Sequence, residues 1–223
     1  LIFFGSIGSF SESSKLQLDS FNQSMRINQI DEIWNEEEYI GYLKISGGIN
    51  RLKSILPKNI DESIIKKIHL DKTKLFQKKI LESGSLIRPG FERLCKELLE
   101  SNIILGIAST TSKKTIENIL SGLKSIKISD FEFITHSGIV NKQKPDPEVY
   151  KICLKELKIK ESESIAFEDT FLSLKSAISA GIKSIAIPGN LSLNQDFSQA
   201  ILKINDYKDI NLSNIKDILQ KHV

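Results

Sequence analysis

Cysteine and histidine are scarce, at two and three in 223 residues. Cys95 and Cys153 form no Cys-x-x-Cys pair and lie in segments of helical periodicity, so they read as reduced thiols of a cytoplasmic protein. His69, His136 and His222 have no metal-ligand spacing, which excludes the zinc classes. His136 falls where a strand ends, and a structural role is its plainer reading. Long apolar runs are also missing. No stretch approaches the roughly 18 residues of a membrane span, so no membrane partner is expected. The opening Leu1-Ile2-Phe3-Phe4 has no basic lead-in and reads as a strand, not a signal peptide. Leu stands first in place of Met, and a few leading residues are expected before it. Charge of one sign is lacking too: 31 basic and 28 acidic residues are interspersed, with no basic run that would suit nucleic acid. There is no internal repeat or low-complexity tract, only a bias toward Ile, Lys, Ser and Asn that reads as genome composition.

What remains is an ordinary soluble globular composition, 40% hydrophobic and 26% charged. The length suits one large domain, or one domain carrying an insert, with a core that needs no staples. Strand patterns alternate with helical ones, the signature of a parallel sheet covered on both faces. The expected strands are Leu1 to Phe4, Ile103 to Ala108, Phe131 to Ile134, Ser164 to Phe167 and Ile182 to Ile187, with Ala200 to Ile204 a sixth. Helices are expected at Lys113 to Leu123, Glu148 to Leu157, Leu172 to Ala180 and Ser213 to His222. Proline early in the second of these and Gly181 after the third are the usual start and stop signals. The stretch between the first two strands is far too long for one crossover and is helical throughout, with a break at Ser46-Gly47-Gly48. The reading is an α/β, Rossmann-like doubly wound core of residues 1–13 and 85–223, with an inserted helical domain at 14–84.

Open parallel sheets bind ligands outside the carboxyl ends of their strands. Those ends carry the turn Gly5-Ser6-Ile7-Gly8-Ser9, then Ser109 and Thr110, then Lys144 in the loop before Pro145, then Glu168 and Asp169. Hydroxyls, an ammonium and two adjacent carboxylates suit a phosphoryl group with Mg²⁺. Each has a plainer alternative. Glu168 and Asp169 could be an exposed acidic pair capping a helix, Lys144 a solvated lysine, and Ser109 the N-cap of the Lys113 helix.

In order along the chain, Arg88-Pro89-Gly90-Phe91, Ile107-Ala108-Ser109-Thr110-Thr111, Lys144-Pro145-Asp146-Pro147 and Phe167-Glu168-Asp169-Thr170 resemble the motif set of haloacid dehalogenase-like hydrolases. The subgroup resembled holds the phosphoglycolate phosphatases and β-phosphoglucomutases. The resemblance implies phosphoester hydrolysis or phosphomutase chemistry on a small phosphorylated metabolite. It implies Ser109, Thr110 and Lys144 as phosphate-binding groups, with Ser109 and Lys144 in the catalytic set. It further implies Glu168 and Asp169 as carboxylates for Mg²⁺, and the helical insert as a cap that closes over substrate. Arg51, shortly after the Ser46-Gly47-Gly48 break, is similar to the cap loop that reads substrate; a surface arginine is the alternative. Trp34 and the insert's Leu and Ile positions read as cap core. A monomer or homodimer is expected.

The first motif departs from the family pattern Phe-Asp-x-Asp-Gly-Thr-Leu-x-Asp-Ser. Phe4-Gly5-Ser6-Ile7-Gly8-Ser9-Phe10-Ser11-Glu12-Ser13 fits it without a gap, but Gly5 falls on the nucleophilic aspartate and Ile7 on the acid/base aspartate. Neither can attack phosphorus or move a proton. Mg²⁺ affinity should fall with the first carboxylate gone, although the Ile7 carbonyl could still contribute. Strand alternation would point Ser6 away from the side that Gly5 and Ile7 face, and Glu12 begins the hinge into the insert. Two functions stay open: a Mg²⁺-dependent phosphoester hydrolase, and a pseudo-enzyme that binds a phosphorylated ligand without turnover.

Overall fold

The computed structural model describes residues 1–84 and 86–221, so His222 lies outside the described residues. From the N-terminus the chain forms β1 (Ile2–Phe4), α1 (Ile7–Phe10), α2 (Ser14–Ile27), α3 (Glu36–Tyr42), α4 (Gly48–Ile55) and α5 (Glu62–Glu82). There follow α6 (Phe91–Glu100), β2 (Leu105–Ala108), α7 (Lys113–Leu120), β3 (Phe131–Thr135), α8 (Glu148–Leu157) and β4 (Ile165–Glu168). The chain then runs through α9 (Phe171–Ser179), β5 (Lys183–Ala186), β6 (Leu202–Lys203) and α10 (Leu212–Lys221). Two compact units result, Leu1–Glu12 with Ser85–Val223, and Ser13–Gly84.

The first unit is a six-stranded parallel sheet of order β3-β2-β1-β4-β5-β6. β1 is central because every residue of it is apolar and buried, as a strand covered on both faces requires. Its side chains alternate between the two faces. Phe3 meets Tyr150 of α8 edge-on at 5.5 Å, and Phe4 meets Phe91 of α6 at 4.7 Å and Tyr207 at 6.0 Å. Gly106 in β2 makes room for the Phe3 ring, which lies 3.0 Å from where a Cβ there would stand. The strand order reverses direction at β1 and β4, so their carboxyl ends flank the crevice where such sheets bind ligands. No described helix is long and apolar enough to cross a membrane.

The second unit is helical. Phe21, Trp34 and Tyr39 form its aromatic centre, with centroids 5.1 to 6.2 Å apart. Asn35 and Glu38 close a capping box on α3, and Asp61 caps α5 by accepting from Ser63 N–H at 2.7 Å. The break at Gly47 adopts φ 82°, which glycine supplies without strain, and α4 starts immediately after it.

Candidate functional site

β4 ends on Glu168, which is fully buried, and Asp169 follows half-buried. The helix-capping alternative does not hold: Thr170 is the N-cap of α9. Lys144 is 5% exposed, not solvated, and its Nζ donates to Glu168 Oε1 at 2.7 Å. The Tyr150 hydroxyl donates to the same oxygen, and the Lys144 ammonium lies 5.0 Å above the Tyr150 ring. Burial pushes the Glu168 carboxyl above its ordinary range, with Asp169 adding to the rise and Lys144 opposing it. Burial likewise raises Asp169, against the hydrogen bond from Ser6 and the charges of Arg88 and Lys144.

Ser6 is where the structure corrects the sequence reading. β1 stops at Phe4, and Ser6 is already the extended N-cap of α1, so strand alternation no longer governs its direction. Its side chain turns toward the two carboxylates. Oγ donates to Asp169 Oδ1 and lies 3.4 Å from Glu168 Oε2, which also accepts the Ser6 N–H at 3.2 Å. Ile7 is buried, and its carbonyl accepts both the N–H and the hydroxyl of Ser11 at 2.9 Å, so its lone pairs are already engaged.

Gly5 N–H donates to the Phe167 carbonyl at 2.9 Å, which holds Gly5 beside the end of β4. A Cβ on Gly5 would stand 2.1 Å from Glu168 Cδ. The Glu168 carboxylate therefore occupies the space into which a side chain at position 5 would project. Because that carboxylate is held by three residues, Gly5→Ala should destabilise the protein by about 1–3 kcal/mol through overpacking. Urea denaturation checks this, and a change within measurement error would mean that Glu168 swings aside freely.

Ser109 follows β2, 2% exposed, with its N–H donating to Thr135 Oγ1 at 3.0 Å and its Oγ accepting from Thr111 N–H at 3.2 Å. It is not the cap of α7; Ser112 is, accepting from Thr115 N–H. Thr110 is half-buried in the turn between them. Thus β1, β2 and β4, adjacent in the sheet, bring Ser6, Ser109, Thr110, Glu168 and Asp169 to one edge, with Lys144 reaching Glu168 from the loop before α8.

Arg51 belongs to the helical unit. It is buried rather than on the surface, donating to the carbonyls of Tyr42 at 2.9 Å and Ile45 at 3.1 Å. His136 is half-buried, and its Nδ1 accepts from Gly138 N–H at 3.1 Å, a turn contact. Sequence reasoning missed Tyr150 and gave Arg88, the start of a motif, no role of its own. Tyr150 carried a signal: a tyrosine on the apolar face of the helix after Lys144 must find a partner for its hydroxyl. Arg88, 7% exposed, donates to the Gly8 carbonyl at 2.9 Å and pairs with Glu12 at 3.4 Å.

A family model described as haloacid dehalogenase-like hydrolase matches residues 10–187. The chain belongs to that family. Protein CbbY of Cereibacter sphaeroides is 27% identical over 213 residues, covering 94% of this chain and 93% of its own. The crystal structure of CbbY from Rhodobacter sphaeroides in complex with phosphate superposes with TM-score 0.85 at 26% identity, covering 96% of this chain and 98% of its own. A mutant of the same protein in complex with xylulose-(1,5)bisphosphate gives 0.84 at 26% identity, covering 95% and 97%. A β-phosphoglucomutase from Clostridium difficile shares the fold, with TM-score 0.83 at 18% identity and coverage of 99% and 97%. Two of the solved structures similar to this haloacid dehalogenase-like chain thus hold phosphate or xylulose-(1,5)bisphosphate.

Proposed function

We propose that this chain binds a small phosphorylated metabolite at the carboxyl ends of β1, β2 and β4 and does not cleave it through an aspartyl-phosphate. The observation that carries this reading is at the end of β1. Gly5 and Ile7 hold the two positions where the resemblance expects carboxylates, and Glu168 fills the space beside Gly5. Ser109, Thr110 and Lys144 are the phosphate-contacting groups in this reading, Ser109 and Thr110 through hydroxyl and turn amides and Lys144 through charge. A phosphorylated sugar is the ligand class to try first, given the bisphosphate bound by the CbbY mutant. Arg51 serves by pinning the loop before α4, since its guanidinium is engaged with backbone carbonyls. The Mg²⁺ that the resemblance implies does not fit these residues. One carboxylate is missing at Gly5, and both oxygens of Glu168 already accept protein donors.

One contact favours a hydrolytic alternative: Ser6 Oγ donating to Asp169 Oδ1 is a nucleophile-to-base arrangement. Against it, that hydroxyl sits between two carboxylates that would repel a phosphate dianion.

Calorimetric titration of inorganic phosphate and a panel of sugar phosphates, run beside a phosphate-release assay, tests both readings. We expect saturable binding, weakened about tenfold or more by Ser109→Ala, with no release. Release that Ser6→Ala or Asp169→Asn abolishes would establish the hydrolytic reading. Absence of binding across the panel would remove the ligand reading.

A further inference from the structure

We infer that Lys144 is the resident cation of this site and that ligand binding here is independent of divalent metal. The inference deepens the binding reading above and rests on it only for the ligand.

Acceptor capacity is the first argument. An ionised carboxylate offers about four lone-pair positions. On Glu168, Oε1 takes the Lys144 ammonium at 2.7 Å and the Tyr150 hydroxyl, while Oε2 takes the Ser6 N–H at 3.2 Å and faces the Ser6 hydroxyl at 3.4 Å. Three of the four positions take a protein donor, since the single Ser6 hydroxyl proton is given to Asp169. Asp169 Oδ1 accepts the Ser6 hydroxyl, and its Oδ2 lies against Gly8, only 1.8 Å from where a Cβ there would stand. The Ile7 carbonyl is bound to Ser11 twice. A magnesium ion needs near-octahedral oxygen ligands held at short range. One free carboxylate oxygen on Asp169 and one remaining position on Glu168 Oε2 are not such a site. Among the described residues, no group of three or more His, Cys, Asp and Glu side chains could hold a metal ion.

Charge is the second. The Glu168 and Lys144 side chains are 0% and 5% exposed and pair with each other. A divalent ion shared between Glu168 and Asp169 would stand close to the Lys144 ammonium with little water between them, where like charges repel strongly. The third argument is spatial. The place a side chain at position 5 would fill is taken by the Glu168 carboxylate itself. The seat of Glu168 thus leaves no room for a side chain at position 5, and an ammonium and a tyrosine hydroxyl satisfy that acid.

The test uses the metal alone and then the ligand. Mg²⁺ is titrated into the natural chain by calorimetry, and Mn²⁺ is followed by electron paramagnetic resonance. We expect no saturable binding up to millimolar concentrations and the same melting temperature with Mg²⁺ or with EDTA. Lys144→Met frees Glu168 Oε1 and removes the competing charge. It should create a saturable site that the further change Glu168→Gln abolishes. The measurements on the natural chain decide the matter even if that variant does not fold. Saturable Mn²⁺ binding by the natural chain, lost in Asp169→Asn, would overturn the inference. Sugar-phosphate binding seen only with Mg²⁺ would overturn it and leave the ligand reading standing. Silence toward metal, with no phosphorylated compound bound under either condition, would sink the ligand reading and with it the ligand half of the inference, while Lys144 as the resident cation stands.

Discussion

Lys144→Met lowers the unfolding free energy of the α/β unit by about 3–5 kcal/mol, the range for removing one partner of a buried ion pair. Lys144 and Glu168 are both buried, and their 2.7 Å contact is the strongest opposition to the burial that raises the Glu168 carboxyl. Without the ammonium, Glu168 either remains charged in a dry position or takes up a proton and keeps the Tyr150 contact through a neutral acid. The loss is therefore greatest at alkaline pH and shrinks as pH falls toward the range in which Glu168 protonates. The sign for Glu168 itself is consistent with that. Its folded value stands above the unfolded one, so its contribution is complete below the ordinary carboxylate range and is lost as pH rises through the folded value. Adding Glu168→Gln to Lys144→Met should recover most of the loss, because the unpaired charge is then gone. Trp34, the one tryptophan, belongs to the helical unit, so fluorescence does not follow this transition. Amide exchange along β4 does. A loss below about 1 kcal/mol for Lys144→Met would show that the pair is not a structural element of the site.

The topology explains which of these residues could be read in advance. Ser109, Thr110, Lys144, Glu168 and Asp169 stand at the ends of clear apolar runs or just before a helix start, and a parallel sheet delivers such positions to one edge. Their surroundings were less legible. Ser6 was misread because a two-residue period was carried past Phe4, where the chain in fact turns into α1. Ser109 had the cap of α7 as its plainer alternative, but the helix begins three residues later, where Ser112 caps it. Arg51 reads in sequence as part of a loop that meets substrate, with a surface arginine as the alternative. Gly47, in a conformation that glycine favours, starts α4 at a point that leaves the Tyr42 and Ile45 carbonyls facing the guanidinium. Tyr150 donates to Glu168 across 18 positions of sequence, a pairing that no local pattern encodes. The absences at Gly5 and Ile7 were legible at once. That the Glu168 carboxylate occupies the space beside Gly5 required coordinates.

The helical unit supplies the second large effect. Lys72→Met should stabilise it by about 1–4 kcal/mol at neutral pH, as when a buried charge gives way to a well-packed apolar side chain. Lys72 is 7% exposed, its ammonium lying 4.7 Å from the Phe21 ring and 4.8 Å from the Phe76 ring. Gln17 Oε1 accepts its proton at 3.2 Å. Burial, with the Arg51 charge adding to it, pushes the amine from its ordinary 10.5 down to about 7. The folded value lies below the unfolded one, so the unfolded chain binds more protons between those limits and stability rises with pH across that window. Below about 7 both states carry the proton and the full burial penalty applies. His69 acts in the same direction at lower pH, since burial and the charges of Lys72 and Arg51 push it from 6.5 to about 4. Methionine keeps much of the stem volume and contact with both rings while removing the charge. Its cost is the cation–π attraction and the Gln17 bond, and half-buried Gln17 can turn to water. Urea unfolding followed by Trp34 fluorescence at pH values either side of the window separates the terms. The difference between Lys72→Met and the natural chain should be large on the acid side and shrink by about 2–4 kcal/mol on the alkaline side. A difference that does not change with pH would mean that Lys72 keeps its proton throughout, and that the two aromatic faces compensate its burial.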